Sequence, residues 1–295
     1  MGLPVNVTLG LDKLVETVAN ATGLTALGTI MNAKGEAKAE AILAKKRAET
    51  NAEVEILRQQ GEEKVAQYVL ARNNQKVENV GAIISKAQQQ FAPEEEVSSE
   101  PVDKDWMSRF LDIAETISDD EMRDLWARVL AGEVKNPKSY SLRTLEVLRN
   151  ITKEEAEIIV KASSFVLDQV YLCIEKFALN LQDKICLDEI GIICGEDLIK
   201  EYSFLSEKMS YTLNRYVRLN MYAPVGTKVK VKCIKLTKAG VEIINIIQKV
   251  DYNAYITSLS SKLKQQGVTK VTINPIISWI SPSSYNIITQ EIEYK

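Results

Sequence analysis

No proline interrupts residues 34–90; the next along the chain is Pro93. Over this stretch Lys, Arg and Glu alternate with Ala, as in Lys34-Gly-Glu-Ala-Lys-Ala-Glu and Ala44-Lys-Lys-Arg-Ala-Glu. Between Lys34 and Glu78 there are nine basic and eight acidic residues, so the segment is densely charged and nearly neutral. Opposite charges four residues apart support a solvent-exposed helix. Its apolar stripe is thin: Ile42, Val54, Leu57, Val65, Val69 and Leu70. A single helix of that length needs a partner. Residues 34–90 are therefore predicted to form a long charged helix that acts as an oligomerisation stalk. No clean heptad runs along it, so a regular two-stranded coiled coil is not supported.

The wider composition points the same way. In 295 residues there are 13 glycines, 7 prolines and 6% aromatics, few for a β-sandwich. Histidine is absent, which removes Ser-His-Asp and Cys-His triads, histidine bases and histidine metal sites. Neither G-x-G-x-x-G nor G-x-x-x-x-G-K-[ST] occurs, so nucleotide hydrolysis has no support. The four cysteines, Cys173, Cys186, Cys194 and Cys233, have no C-x-x-C spacing. Free thiols fit a reducing cytoplasm. The start, Met1-Gly2-Leu3-Pro4, does not read as a signal peptide. A non-enzymatic cytoplasmic protein without metal or cofactor is expected.

The rest of the chain divides by character. Residues 1–33 read as an amphipathic helix, with Leu11, Leu14, Val15, Val18, Ala21, Leu24, Leu27 and Met31 at helical spacing. Nothing from Thr17 to Ala33 is charged. Three arrangements are compatible with that run: packing on the body or a partner, peripheral contact with a membrane, or a disordered leader. Residues 91–105 read as an acidic linker with two prolines, and a domain boundary is placed there.

Residues 106–170 read as a helical core domain. Ser118 and Glu121 predict a capping box, as do Thr152 and Glu155. Residues 171–295 read as an α+β, winged-helix-like module. Val229, Val231 and Cys233 alternate with lysines as in a half-buried strand, and a helix follows Leu236. The predicted fold is mainly α: a long N-terminal helix, a central helical bundle and a small α+β C-terminal part.

The run Ile117-Ser-Asp-Asp-Glu-Met-Arg-Asp-Leu-Trp-Ala-Arg-Val-Leu-Ala-Gly-Glu-Val, followed by Ser139-Tyr-Ser-Leu-Arg-Thr-Leu-Glu-Val-Leu, is the most distinctive motif in the chain. Over residues 106–162 it resembles an uncharacterised bacterial family similar to the abortive-infection alpha proteins of phage defence. The resemblance implies a defence role, as sensor, scaffold or effector acting through assembly. It implies no catalytic residue.

Several residues are singled out as candidates. Asp119, Asp120, Glu121 and Asp124 cluster in the way Mg²⁺ or Ca²⁺ requires, but acids in a first helical turn are explained by the helix dipole. Trp126 sits on an apolar face as core or as a partner anchor. Arg143 suits a bidentate anion or a salt bridge to the capping acids. Residues 208–238 hold eight basic residues and no acid, leaving a charge of −11 on the remainder of a chain whose net charge is −3. There Arg215 and Arg218 would share a helical face, and Lys228, Lys230 and Lys232 a strand face. Such a surface suits nucleic-acid phosphates, an acidic protein or anionic lipid. The expected partners are thus copies of the chain itself, a defence-operon or phage protein, nucleic acid through 208–238, and a membrane surface through 1–33. The alternatives to the assembly role are a winged-helix nucleic-acid binder and a metal-dependent nuclease of unrecognised type.

Overall fold

The computed structural model describes residues 7–22, 48–56, 58–61, 63–92, 95–175, 178–213, 216–247, 252–281 and 284–294. The chain divides into two compact units, Met1–Leu145 and Glu146–Lys295. The boundary expected in residues 91–105 falls inside the first unit. Residues 34–47 lie outside the described residues.

The first unit is built from helices around an aromatic core. Strand β1 (Val7–Leu9) leads directly into α1 (Gly10–Thr22), whose Leu14, Val15 and Val18 are buried. β1 pairs antiparallel with β2 (Glu96–Ser98), so part of the supposed linker is a strand, with Val97 buried. Lys13 is 4% exposed and donates to the Ser98 carbonyl at 2.6 Å. Burial lowers its pKa.

The single stalk helix is not observed. Residues 48–56 are helical, and the chain turns at Gln60–Gly61 before α2 (Glu63–Gln88) begins. Gly61 has φ +80°, and its N–H donates to the Arg58 carbonyl at 3.0 Å. A glycine in this left-handed conformation ends a helix without a Cβ penalty. Residues 48–56 then fold back along α2, where Thr50 and Glu53 face Asn73 and Val77 across a cleft of about 250 Å³.

Helices α3 (Lys104–Ala114) and α4 (Asp120–Lys135) complete this core. Trp106 stacks on Phe110 at 5.3 Å, and Phe110 meets Trp126 at 5.5 Å. The N-cap of α4 is Asp119, whose side chain accepts from the Met122 N–H, rather than Ser118. The first unit closes with the start of α5 (Leu142–Asn150).

The second unit follows with α6 (Lys153–Ser163), where Thr152 and Glu155 form the reciprocal capping box that the sequence predicts. The order is then β3 (Val166–Leu167), β4 (Tyr171–Cys173), α7 (Leu181–Glu189), β5 (Ile193–Ser203), β6 (Lys208–Leu213), β7 (Val217–Tyr222) and β8 (Lys228–Leu236). It ends with α8 (Lys238–Ile244), α9 (Asn253–Lys264), β9 (Lys270–Ser281), β10 (Ser284–Ile287) and β11 (Ile292–Tyr294).

Nine of these strands form one antiparallel sheet in the order β10-β9-β7-β6-β3-β4-β8-β5, with β11 also on β9. The fold is therefore α+β rather than mainly α. The winged helix is also corrected, since residues 208–236 are three strands where a recognition helix was expected. The alternation on β8 is as read, with Val229, Val231 and Cys233 buried between exposed lysines.

The sheet narrows at its middle. β3 meets β6 through one pair only, Leu167 with Leu213. Asp168 and Gln169, both with left-handed φ (49° and 63°), turn the chain from β3 into β4. Asp168 accepts from Lys200 of β5 and from the Tyr202 hydroxyl at 3.2 Å. Tyr202 in turn meets Tyr211 of β6 at 4.4 Å. This cluster brings β5 and β6 together although four ladders separate them in the sheet order.

The aromatic core of the first unit should carry much of its stability. Phe110 is fully buried between two indoles, and Phe110→Ala is expected to cost about 3–5 kcal/mol. Urea unfolding followed by circular dichroism checks this; a loss under about 1 kcal/mol would mean that the site is not tightly packed.

Candidate functional site

A concavity of the first unit lies between α2 and the connection from α3 to α4. It has a volume of about 400 Å³, and Tyr68, Arg72, Gln75, Lys76, Asn79 and Glu115 are among its lining residues. The floor is fixed. Asn79, 2% exposed, accepts on Oδ1 from Arg123 at 2.7 Å and from Gln75 at 3.0 Å, and donates to the Glu115 carbonyl at 2.8 Å. Lys76 and Glu115 form an ion pair at 2.6 Å. Arg123 also donates to the Ile117 carbonyl at 3.2 Å. Every hydrogen-bonding atom of the Asn79 amide group is thus engaged, and a satisfied buried network of this kind is rigid.

The rim is different. Tyr68 is 65% exposed and Arg72 is exposed, and neither has an ion-pair or hydrogen-bond partner among the described residues. Tyr and Arg are the side chains that most often anchor partners. A rigid polar floor under two free anchors is suited to binding. Among the described residues no group of three Cys, Asp or Glu is placed to hold a metal ion.

The residues singled out from the sequence are scattered. Trp126 is fully buried in the aromatic core of the first unit. Arg143 is exposed on α5 without an ion pair among the described residues, so its expected bridge to the capping acids is absent there. Those acids have other partners: Asp120 and Asp124 receive Lys86 at 3.1 and 2.7 Å. Arg215 lies outside the described residues.

Lys228 and Lys230 share one face of β8 with Lys232, and both pair with Glu201 of β5 at 3.1 and 3.4 Å. Arg218 is on β7, separated from β8 in the sheet by β6, β3 and β4. Its Nε is buried with no hydrogen-bond partner among the described residues. The basic segment therefore spreads over distant strands instead of forming one footprint.

A second polar cluster crosses β6, β7 and β9. Asn220, Thr272 and Asn274 are buried, and the Asn220 amide donates to Asn274 at 2.8 Å and to Thr272 at 3.2 Å. Glu291, just before β11, accepts from Lys208 at 2.7 Å, Thr272 at 2.6 Å and Tyr222 at 2.9 Å. These donors, Lys208 foremost, hold its carboxyl down to about 2 from an ordinary 4.5. Asn274 also donates to the Ile288 carbonyl at 3.0 Å. The cluster ties the last residues of the chain to the sheet.

Residues 63–170 match a family model described as a protein of unknown function (DUF2806). The match begins at the first residue of α2 and ends in the turn after β3, so it includes every residue of the 400 Å³ groove. No curated protein and no solved structure matches the chain. Among the described residues no helix is long and apolar enough to cross a membrane.

Sequence reasoning missed Tyr68, Arg72 and Asn79 because a densely charged helix reads as uniformly solvated. The usable signal was an aromatic residue and an asparagine inside that helix. Glu291 was missed because its partners are remote in sequence.

Glu291 makes the stability of the second unit depend on pH. Its folded pKa is depressed, so its contribution is fully present above pH 4.5 and is lost as pH falls toward about 2. Stability measured by urea unfolding should fall across that window. Glu291→Gln should lose less there than wild type, and an unchanged acid limb would refute the assignment.

Proposed function

We propose that the chain is a non-enzymatic phage-defence protein that acts through self-assembly, with the outer face of α2 as the contact between copies. The defence role is supported by the resemblance carried by residues 106–162. The assembly role is supported by one observation, the self-complementary stripe on α2. Lys64, Tyr68, Ala71, Gln75 and Glu78 recur at alternating spacings of four and three, and all are exposed. Residues at that spacing share one face of a helix.

Ala71 is the midpoint between Lys64 and Glu78. Two such helices placed antiparallel about Ala71 set Lys64 of each copy against Glu78 of the other. This is an isologous contact, in which one patch serves both subunits. The small Ala71 lets the helices approach, and Tyr68 supplies the apolar area beside it. The groove next to the stripe, with Arg72 on its rim, then faces the same interface.

Light scattering on the eluting full chain tests the assembly. Wild type is expected to run as a dimer at micromolar concentration. Lys64→Glu or Glu78→Lys, each turning two attractive pairs repulsive, should weaken association by about tenfold or more. The double reversal should restore it, and protection of cells in a plaque assay should follow the same order. A monomeric wild type, or single reversals with unchanged mass, would sink this reading.

A further inference from the structure

Cys173 on β4 and Cys233 on β8 are direct partners in the antiparallel ladder. The flanking bonds run from the Ile174 N–H to the Lys232 carbonyl at 3.0 Å and from the Leu236 N–H to the Val170 carbonyl at 2.9 Å. Hydrogen-bonded pairs alternate along such a ladder. They therefore fall at 170 with 236, 172 with 234 and 174 with 232, which leaves 173 with 233 at a non-hydrogen-bonded position. There the Cα atoms stand about 4.5 Å apart and the side chains are at their closest. That spacing is inside the range of about 4.4–6.8 Å that a disulfide spans. Both side chains leave the same face of the sheet, both are fully buried, and both are free thiols.

We propose that Cys173 and Cys233 form an oxidisable pair, a covalent modification site that a peroxide converts to a cross-strand disulfide. The position gives the bond a structural consequence. In the strand order β8 and β5 reach the rest of the sheet through the β4–β8 ladder, which has three residue pairs. A bond between residues 173 and 233 would staple the seam between β4 and β8. The other two thiols are unsuited to the role. Cys194 is exposed and faces Lys235 in register, and Cys186 is on α7.

The chemistry balances with hydrogen peroxide as the oxidant. One thiol gives up its proton and its sulfur attacks a peroxide oxygen. The O–O bond breaks and hydroxide leaves, becoming water with that proton, so the attacking cysteine is a sulfenic acid. The second thiol then loses its proton and its sulfur attacks the sulfenic sulfur. The S–S bond forms, the S–O bond breaks and a second water leaves. Two sulfurs are each oxidised by one electron and the peroxide is reduced to two waters. Burial pushes the Cys173 thiol up to about 11 and also raises that of Cys233. Both are therefore protonated at neutral pH, and the reaction waits on solvent entry at the seam.

The test uses the full chain with Cys186→Ser and Cys194→Ser, which leaves the buried pair untouched and removes the other two thiols. The folded protein is treated with hydrogen peroxide, then unfolded and alkylated. The expected result, in denaturant, is a single chain with no cross-link to another, which has lost two hydrogens in mass and takes up no alkylating agent. Its non-reducing peptide map should join Cys173 to Cys233, and its Tm should rise by several degrees until dithiothreitol reverses both changes. The rate should increase with pH. Two alkylated thiols after treatment, or sulfinic acid without a cross-link, would overturn the proposal.

Discussion

The second unit depends on one half-buried polar contact, the ion pair between Lys200 and Asp168. Lys200 lies on β5, the last strand of the sheet order, and its ammonium points inward over the Tyr171 ring at 4.1 Å. An inward-pointing charge is one of the ways a protein keeps an edge strand from pairing with another chain. A carboxylate at that spot offsets the partial loss of solvent around the half-buried ammonium. Asp168 supplies it from a left-handed turn, a conformation that an Asp side chain tolerates. The backbone of Asp168 also donates to the Thr212 carbonyl at 2.9 Å. A single residue thus joins the β3–β4 turn, the edge strand and β6. The sheet can narrow to one pair at β3 because this contact holds the two sides together.

What was legible in the sequence was mostly local. Thr152 with Glu155 and Thr237 before α8 cap their helices because a cap needs only a side chain and the next three residues. The alternation on β8 was legible because one face of that strand is buried and the other is solvated. β5 has no such pattern. It is an edge strand exposed on most of its length, with Glu196, Asp197, Lys200 and Glu201 among its residues. β7 hides for the opposite reason: Asn220 is buried although its neighbours across the sheet are polar. Both strands look like loop or helix to a period-based reading, and their omission turned an α+β fold into a mainly α one. Gly61, whose left-handed φ ends a helix, lies within a charge pattern that reads as one continuous helix.

The basic segment illustrates a separate limit. Counting charges over residues 208–238 finds no acid, yet Lys208 pairs with Glu291, and Lys228 and Lys230 share Glu201. Those acids come from outside the segment and are brought in by strand pairing. A window along the chain measures composition, whereas the electrostatic field depends on which strands become neighbours. Lys232, Lys235 and Arg218 have no ion pair among the described residues, and the neighbours of Arg218 in register are Thr212 and Asn274, neither of them acidic.

The groove of the first unit follows from how α2 spends its two sides. Its inward side buries Ala66, Asn79, Ile83 and Ala87. Of these, only Asn79 is polar, and its amide is satisfied by Arg123, Gln75 and the Glu115 carbonyl. Removing one partner from such a network would strand a buried polar group at a cost of about 1–3 kcal/mol. The network therefore locks α2 to the α3–α4 connection at that point, and the helix cannot roll. Because it cannot roll, the orientation of Tyr68 and Arg72 on the rim is set by the buried side and not by solvent. The backbone that carries them is thereby fixed, so a molecule meeting Tyr68 and Arg72 would have only their side chains to order.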